Sequence, residues 1–306
     1  MIKKHYRTFL FFLFFLSGGI CSAQFKISAG TGVLETNIKE ILWTKQGDDA
    51  QIISLLEWNN YVAPVVSLDA QYKFDDTFGF GLGGFYTIPF SYGKMEDSDY
   101  MNLLSSDGTE RTHYSNHTNK LDNYYCVDTF FSAGGNINHK LELKAFFSFR
   151  YLYYCFTAHN GYKQYPNQPK TSMNGQIVTL EAQKLYCGIG TGFTYKPSDK
   201  LLLELNINLM PSLMNQVLDI HYKRTNKYSY FLLPDELAFD SKLLLEYKLN
   251  SNNALTAGLN FFASSVKNGS LYQSTNKNNW EKYTNQTGTK QTAFKLLLGY
   301  TYRYEN

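Results

Sequence analysis

The sequence predicts an all-β protein, a ten-stranded antiparallel transmembrane β-barrel with long extracellular loops. Three observations predict it. The chain opens with a secretory leader. Apolar and polar residues then alternate with period two over lengths that cross a bilayer as tilted strands. Short turns alternate with long polar connections.

The leader reads "MIKKHYRTFLFFLFFLSGGICSAQ". Lys3, Lys4 and Arg7 precede an apolar run from Phe9 to Leu16, and small residues end it at Cys21-Ser22-Ala23. Cleavage is expected after Ala23, giving a signal peptide over 1–23 and one barrel domain over 24–306. The apolar run is shorter than the roughly 20 residues that a membrane helix takes. Ile20 is too bulky to precede a lipid-modified Cys21, which argues against a lipoprotein signal. The leader carries three cations and no acid, so its removal lowers the formal net charge from +3 to zero. Nothing in that balance points to nucleic acid. The mature chain keeps Cys126, Cys155 and Cys187, an odd number at wide spacing among aromatic residues. They read as buried or lipid-facing thiols rather than a disulfide framework or a metal motif.

The elements follow in chain order. A short turn is expected at 74–78 (FDDTF) and a second at 136–140 (NINHK). The strand after it sets Leu141, Leu143, Ala145, Phe147, Phe149 and Tyr151 on one face, with Glu142, Lys144, Phe146, Ser148 and Arg150 on the other. A third turn falls at 196–200 (KPSDK). Beyond it Leu203, Leu205, Ile207 and Leu209 alternate with Glu204, Asn206 and Asn208. A fourth turn at 249–253 (LNSNN) leads to Leu255, Ala257, Leu259 and Phe261, alternating with Thr256, Gly258 and Asn260. The last strand sets Phe294, Leu296, Leu298, Tyr300, Tyr302 and Tyr304 against Lys295, Gly299, Thr301 and Arg303. The long connections are expected near 44–51, 92–119, 161–176, 218–229 and 267–290 as polar, solvated loops. A soluble β-sandwich also alternates, but its polar face looks outward. The leader, the strand lengths and the aromatic last strand favour the barrel, and 25 Tyr with 23 Phe suit its aromatic girdles.

The stretch "GKMEDSDYMN" (93–102) places Asp97 and Asp99 at i and i+2, at the outer end of the third strand. Residues two apart in an extended chain point to one side. Two such carboxylates repel and share a proton at some pH, because both cannot easily ionise. A second pair, Asp219 and His221 in "NQVLDIHYKR", has the same spacing at the outer end of the seventh strand, on the facing wall. An imidazole beside a carboxylate can take a proton from water near neutral pH, and a facing carboxyl pair can hold that water or the developing oxyanion. The same residue types also suit solvated loops or a metal site.

Four segments together resemble the omptin family of outer-membrane proteases. "LLEWN" (55–59) resembles its Gln-Leu-Asp-Trp segment. "GKMEDSDYM" (93–101) resembles its Gly-x-Met-x-Asp-x-Asp-Trp-Met, with Tyr100 for tryptophan. "YCFTAHNG" (154–161) resembles Tyr-Ser-Phe-Thr-Ala-x-Gly-Gly, and "DIHY" (219–222) resembles Asp-x-His-Tyr. The order and spacing match along nearly the whole mature chain. The resemblance implies an aspartic-type endopeptidase with its site at the outer rim of the barrel. It implies that Asp219 and His221 activate a water facing Asp97 and Asp99, with no metal or other cofactor. It also implies cleavage between basic residues, guided by acidic side chains in the first pocket. Glu40 matches one of these, while the second position is Val217. Lipopolysaccharide is the expected activator, but one of its basic contacts is here His159. Of the two histidines expected in the second outer loop, His117 is nearer than His113 to the one that assists activity in the family. His139 falls in a predicted turn and has no chemical role. The chain ends in "YRYEN" rather than on the family's usual Phe. The expected partners are peptide or protein substrates and outer-membrane lipid, with the chain a monomer, since one chain closes its own sheet edges. A barrel of this kind without activity would serve as an adhesin or structural protein. An enzyme acting on lipids would more readily carry a serine beside the Asp-His pair.

Overall fold

Backbone amides in lipid have no water to bond, so alternating strands must close into a ring. The computed structural model describes residues 24–44, 51–101, 111–223 and 227–305. The expected signal peptide, 1–23, lies outside the described residues. The strands are β1 (Gln24–Trp43), β2 (Ile52–Lys73), β3 (Phe78–Thr87), β4 (Tyr92–Asp99), β5 (His113–Asn138) and β6 (Leu141–Gln164). They continue with β7 (Thr171–Ser198), β8 (Leu201–His221), β9 (Lys227–Leu232), β10 (Leu237–Lys248), β11 (Asn253–Ser274) and β12 (Glu281–Glu305). β3 and β4 both lie between β2 and β5, and β9 and β10 both lie between β8 and β11. Each pair is therefore one barrel strand with a break, and the ring has the ten strands that the alternation predicts. Every pairing is antiparallel, and β1 closes the ring by pairing both β12 and β2.

The breaks fall at 88–91 and 233–236, where Pro89 and Pro234 cannot donate to a ladder. Local bonds span them: Ile88 N–H donates to Pro64 O at 2.8 Å, and Ser212 N–H to Glu236 O at 2.8 Å.

The outer face carries the predicted apolar band. Phe147 and Leu298 are 45% and 63% exposed, while Ser148 between the outward residues of β6 is 7% exposed. Inward polar groups meet across the lumen. Arg150 on β6 donates to Asp128 of β5 at 2.6 Å and to Asp240 of β10 at 2.7 Å. Higher in the barrel, Glu236 accepts from Lys184, Tyr186, Asn215 and Ser264. Above that network lies a buried apolar layer that includes Trp58, Leu121, Tyr154, Phe156, Leu180 and Val217. The lumen is filled by side chains, and a site at the rim rests on that plug.

The long connections are corrected. β5 and β7 run 26 and 28 residues, far beyond the roughly 10 that a tilted strand needs to cross a bilayer. Of the residues predicted as loop, 92–99, 113–119, 161–164, 171–176, 218–221, 227–229, 267–274 and 281–290 are strand, and the predicted loop at 44–51 lies mostly outside the described residues. Above the bilayer both faces meet water, so the outward positions turn polar and the hydrophobic alternation fades while the ladder continues. The three cysteines are unbridged, with Cys126 buried and Cys155 and Cys187 half-buried.

Arg150→Ala leaves two lumenal carboxylates facing each other without their cation. Loss of about 3 kcal/mol is expected, read as a lower denaturant midpoint of the refolded barrel in detergent micelles. An unchanged midpoint would show that the cross-lumen bridge does not support the fold.

Candidate active site

β4 ends in "EDSD", and its pairing with β2 and β5 decides where the two aspartates point. Asp97 lies opposite Leu56 on one side and Ser115 on the other, while Asp99 lies opposite Ser54 and His113. Directly paired residues share a face, so both carboxyls enter the lumen, where both are buried. They sit in the last residues of β4, at the outer end of the third barrel strand where the sequence places them.

On the facing wall β8 presents Val217, Asp219 and His221 inward, all buried. His221 Nε2 lies 2.7 Å from Asp219 Oδ2. A carboxylate only accepts, so Nε2 carries the hydrogen of that bond and Nδ1 is the nitrogen that can take a proton. Asp97, Asp99, Asp219 and His221 line one cavity of about 230 Å³, ample for a water between the pairs.

Glu40 lines the same cavity from β1. Trp58 Nε1–H donates to its Oε1 at 2.6 Å, and its Oε2 has no hydrogen-bond partner among the described residues. Burial pushes the Glu40 carboxyl well above the usual carboxylate range. Asp219 and Asp97 close by add to this, and the Trp58 bond offsets part of it. Glu40 shares the cavity with both aspartates. Val217 is packed between Ala182 of β7 and Phe231 of β9, in the apolar floor beside Asp219. Besides Asp97, Asp99 and Asp219, the cavity is therefore left with Glu40 as its one further carboxylate, beside Leu42, Leu56, Phe231 and Leu271.

His113 and His117, predicted in a loop, belong to β5. His117 is buried. Its Nδ1–H donates to Asn160 O at 2.5 Å, so its Nε2, 2.9 Å away, accepts from Ser115 Oγ–H in the neutral ring. The Asn160 carbonyl is turned toward His117 by a bulge in β6. There Asn160 and Gly161 have φ of 51° and 118°, and a Cβ at Gly161 would meet Asn116 O at 2.0 Å. Only glycine fits that approach. Burial lowers the His117 pKa, the Asn160 bond draws it back, and nearby His221 lowers it further. His159 lies opposite Thr118, out of step with buried Asn119 and Ala158, and so faces the outside of the barrel. His139 sits in the turn between β5 and β6. Among the described residues no three metal-ligating side chains stand close enough to hold an ion.

Sequence reasoning did not single out Ser115, Lys163 or Lys223, which share a second cavity with Asp97, Asp99 and His221. Period two on β5 and β6 carries the signal for the first two, once their strands are known to extend this far.

A filled barrel with a polar cluster sunk in one rim belongs to the class of outer-membrane barrels that carry a site rather than a channel. The omptin family model matches residues 21–304, and the chain belongs to the omptin family, a family of outer-membrane proteases. Among solved structures, the outer-membrane protease OmpT from Escherichia coli aligns with a TM-score of 0.84 at 18% identity, over 92% of this chain and 97% of that one. The two share the fold. OprG from Pseudomonas aeruginosa aligns at 0.40 with 10% identity, over 94% of this chain and 98% of that one. The toluene transporter TbuX from Ralstonia pickettii aligns at 0.35 with 8% identity, over 94% and 90%. A search of curated protein sequences finds no match.

The unfolded chain protonates a histidine near pH ~6.5, but folded His117 does so only at lower pH. Its contribution to stability is thus full above the ordinary histidine range and is lost as pH falls through it toward the folded value. His117→Asn should flatten the change in denaturant midpoint between about pH 7 and about pH 5. Equal slopes for variant and wild type would contradict the buried neutral ring.

Proposed function

We propose that the protein is an endopeptidase at the cell surface that hydrolyses peptide bonds with a water held between Asp219-His221 and Asp97-Asp99. The observation that carries this is the gathering of both pairs, from facing walls, on one cavity with room for water. A binding barrel has no need of that convergence. The site lies at the long-loop end, which in barrels of this kind faces the exterior.

The water attacks the peptide carbonyl carbon while His221 Nδ1 takes its proton. Asp219 holds the ring and stabilises the imidazolium. Asp97 and Asp99 orient the water from the other side by accepting its second hydrogen. The imidazolium then gives its proton to the leaving nitrogen, which closes the cycle with one water consumed. No serine or cysteine nucleophile and no cofactor enters this sequence. An activating lipopolysaccharide would meet the outer surface of β6, where His159 stands.

Glu40 supplies the first-pocket acid for a Lys or Arg before the scissile bond. An incoming cation offsets the burial that raises the Glu40 pKa and so favours its carboxylate form. With Val217 in the second acidic position, the preference rests on Glu40 alone.

Cleavage of a mixed peptide library by the refolded barrel, with and without lipopolysaccharide, tests the reading. His221→Ala should lower the rate by about two to four orders of magnitude. Cleavage by neither protein in any condition returns the barrel to a binding role. Glu40→Gln should reduce kcat/KM for peptides with Lys or Arg at P1 by about 10- to 100-fold, the range for a lost hydrogen bond to a charged group. A wild-type library without enrichment for Lys or Arg at P1 overturns the basic-site preference.

A further inference from the structure

The two flanks of the aspartate pair are chemically unlike. Strand register builds one transverse row of inward residues: Glu40 on β1, Leu56 on β2, Asp97 on β4, Ser115 on β5 and Lys163 on β6. Asp97 thus stands between an acid at one end of the row and a base at the other. The next row up holds Ser54, Asp99 and His113.

A second cavity of about 60 Å³ opens on the Lys163 side. It shares Asp97, Asp99 and His221 with the larger one, but has Lys163, Lys223 and His113 where the larger one has Glu40, Asp219 and Lys227. That volume holds a few waters, and so a carboxylate side chain. Aromatic rings support the bases here. Lys163 Nζ lies 5.0 Å from the Tyr165 ring centroid, and the His113 ring packs edge-on against Tyr165 at 4.5 Å. Among the described residues no ion pair joins Lys163 or Lys223 to a carboxylate. An aromatic face holds a cation in place without cancelling its charge.

We propose that this second cavity receives the side chain following the scissile bond and selects Asp or Glu there. The inference rests on the protease reading of the same site. A peptide lying across the aspartate pair with its P1 side chain toward Glu40 sends its P1' side chain toward Lys163 and Lys223. A carboxylate there meets two ammonium groups, while a Lys or Arg meets like charge. The preferred bond is then one between a basic and an acidic residue, whereas the family resemblance implies a bond between two basic ones.

The test uses peptides of one sequence with Lys at P1 and Glu, Ala or Lys at P1'. They are offered to the wild-type barrel and to Lys163→Glu and Lys223→Glu. The wild type should cut in the order Glu, Ala, Lys, with a Glu-to-Lys ratio in kcat/KM on the order of tenfold that shrinks in high salt. Either charge reversal should lower the ratio, and Lys163→Glu should bring it below one. A ratio does not depend on the fraction of variant that folds. Wild-type preference for Lys at P1', or a ratio unmoved by both reversals, overturns the subsite alone. No cleavage of any peptide by the wild type overturns the protease reading and the subsite with it.

Discussion

In a bilayer each backbone amide must find a partner within the protein, and this chain meets that demand by pairing β1 with β12 on one edge and β2 on the other. Once the ring is closed, period two and register together dictate which side chains enter the lumen and at what height. A slip of one residue in β4 would turn Asp97 and Asp99 out of the barrel and Glu96 and Ser98 into it. The chemistry at the rim is therefore a consequence of hydrogen-bond register among strands that lie partly in lipid.

Filling the lumen has an energetic cost of its own, because charges leave water there. At two of the buried charges the cost is offset by several partners each. Glu236 accepts from four side chains on three neighbouring strands, and Arg150 bridges two aspartates. Asn215, one of the donors to Glu236, lies on β8 four residues before Asp219. The buried network thereby ties the strand carrying the Asp-His pair to the strand break at 233–236, and gives that pair a stiff base.

At the rim the same low-dielectric setting works through proximity. Glu40 feels both Asp219 and Asp97, and His117 feels His221. Acidic and basic flanks on either side of Asp97 make the cleft polar along the direction in which a peptide would lie. Replacement of the second acid by Val217 weakens only the acidic flank, so the balance between the two flanks differs from that implied by the family resemblance.

The amino-acid sequence by itself determined the class, the strand number and the outward apolar band. All three rest on local alternation, which the bilayer enforces residue by residue, as in Phe147, Phe149, Leu296 and Leu298. It also marked Asp97, Asp99, Asp219 and His221, because i, i+2 pairs at strand ends are visible without a partner strand, and Glu40 through the resemblance to the family. Tertiary structure decided how far the strands project, since above the membrane polar residues occupy both faces and the alternation that identifies a strand is lost. His113 and His117 moved from loop to strand for that reason. It alone set the tautomer of His117, through a carbonyl turned by the bulge at Asn160 and Gly161. It alone brought Lys163 and Lys223 to the flank opposite Glu40, because that meeting depends on pairing across β4, β5 and β6 and on the curvature that returns β8 to face them.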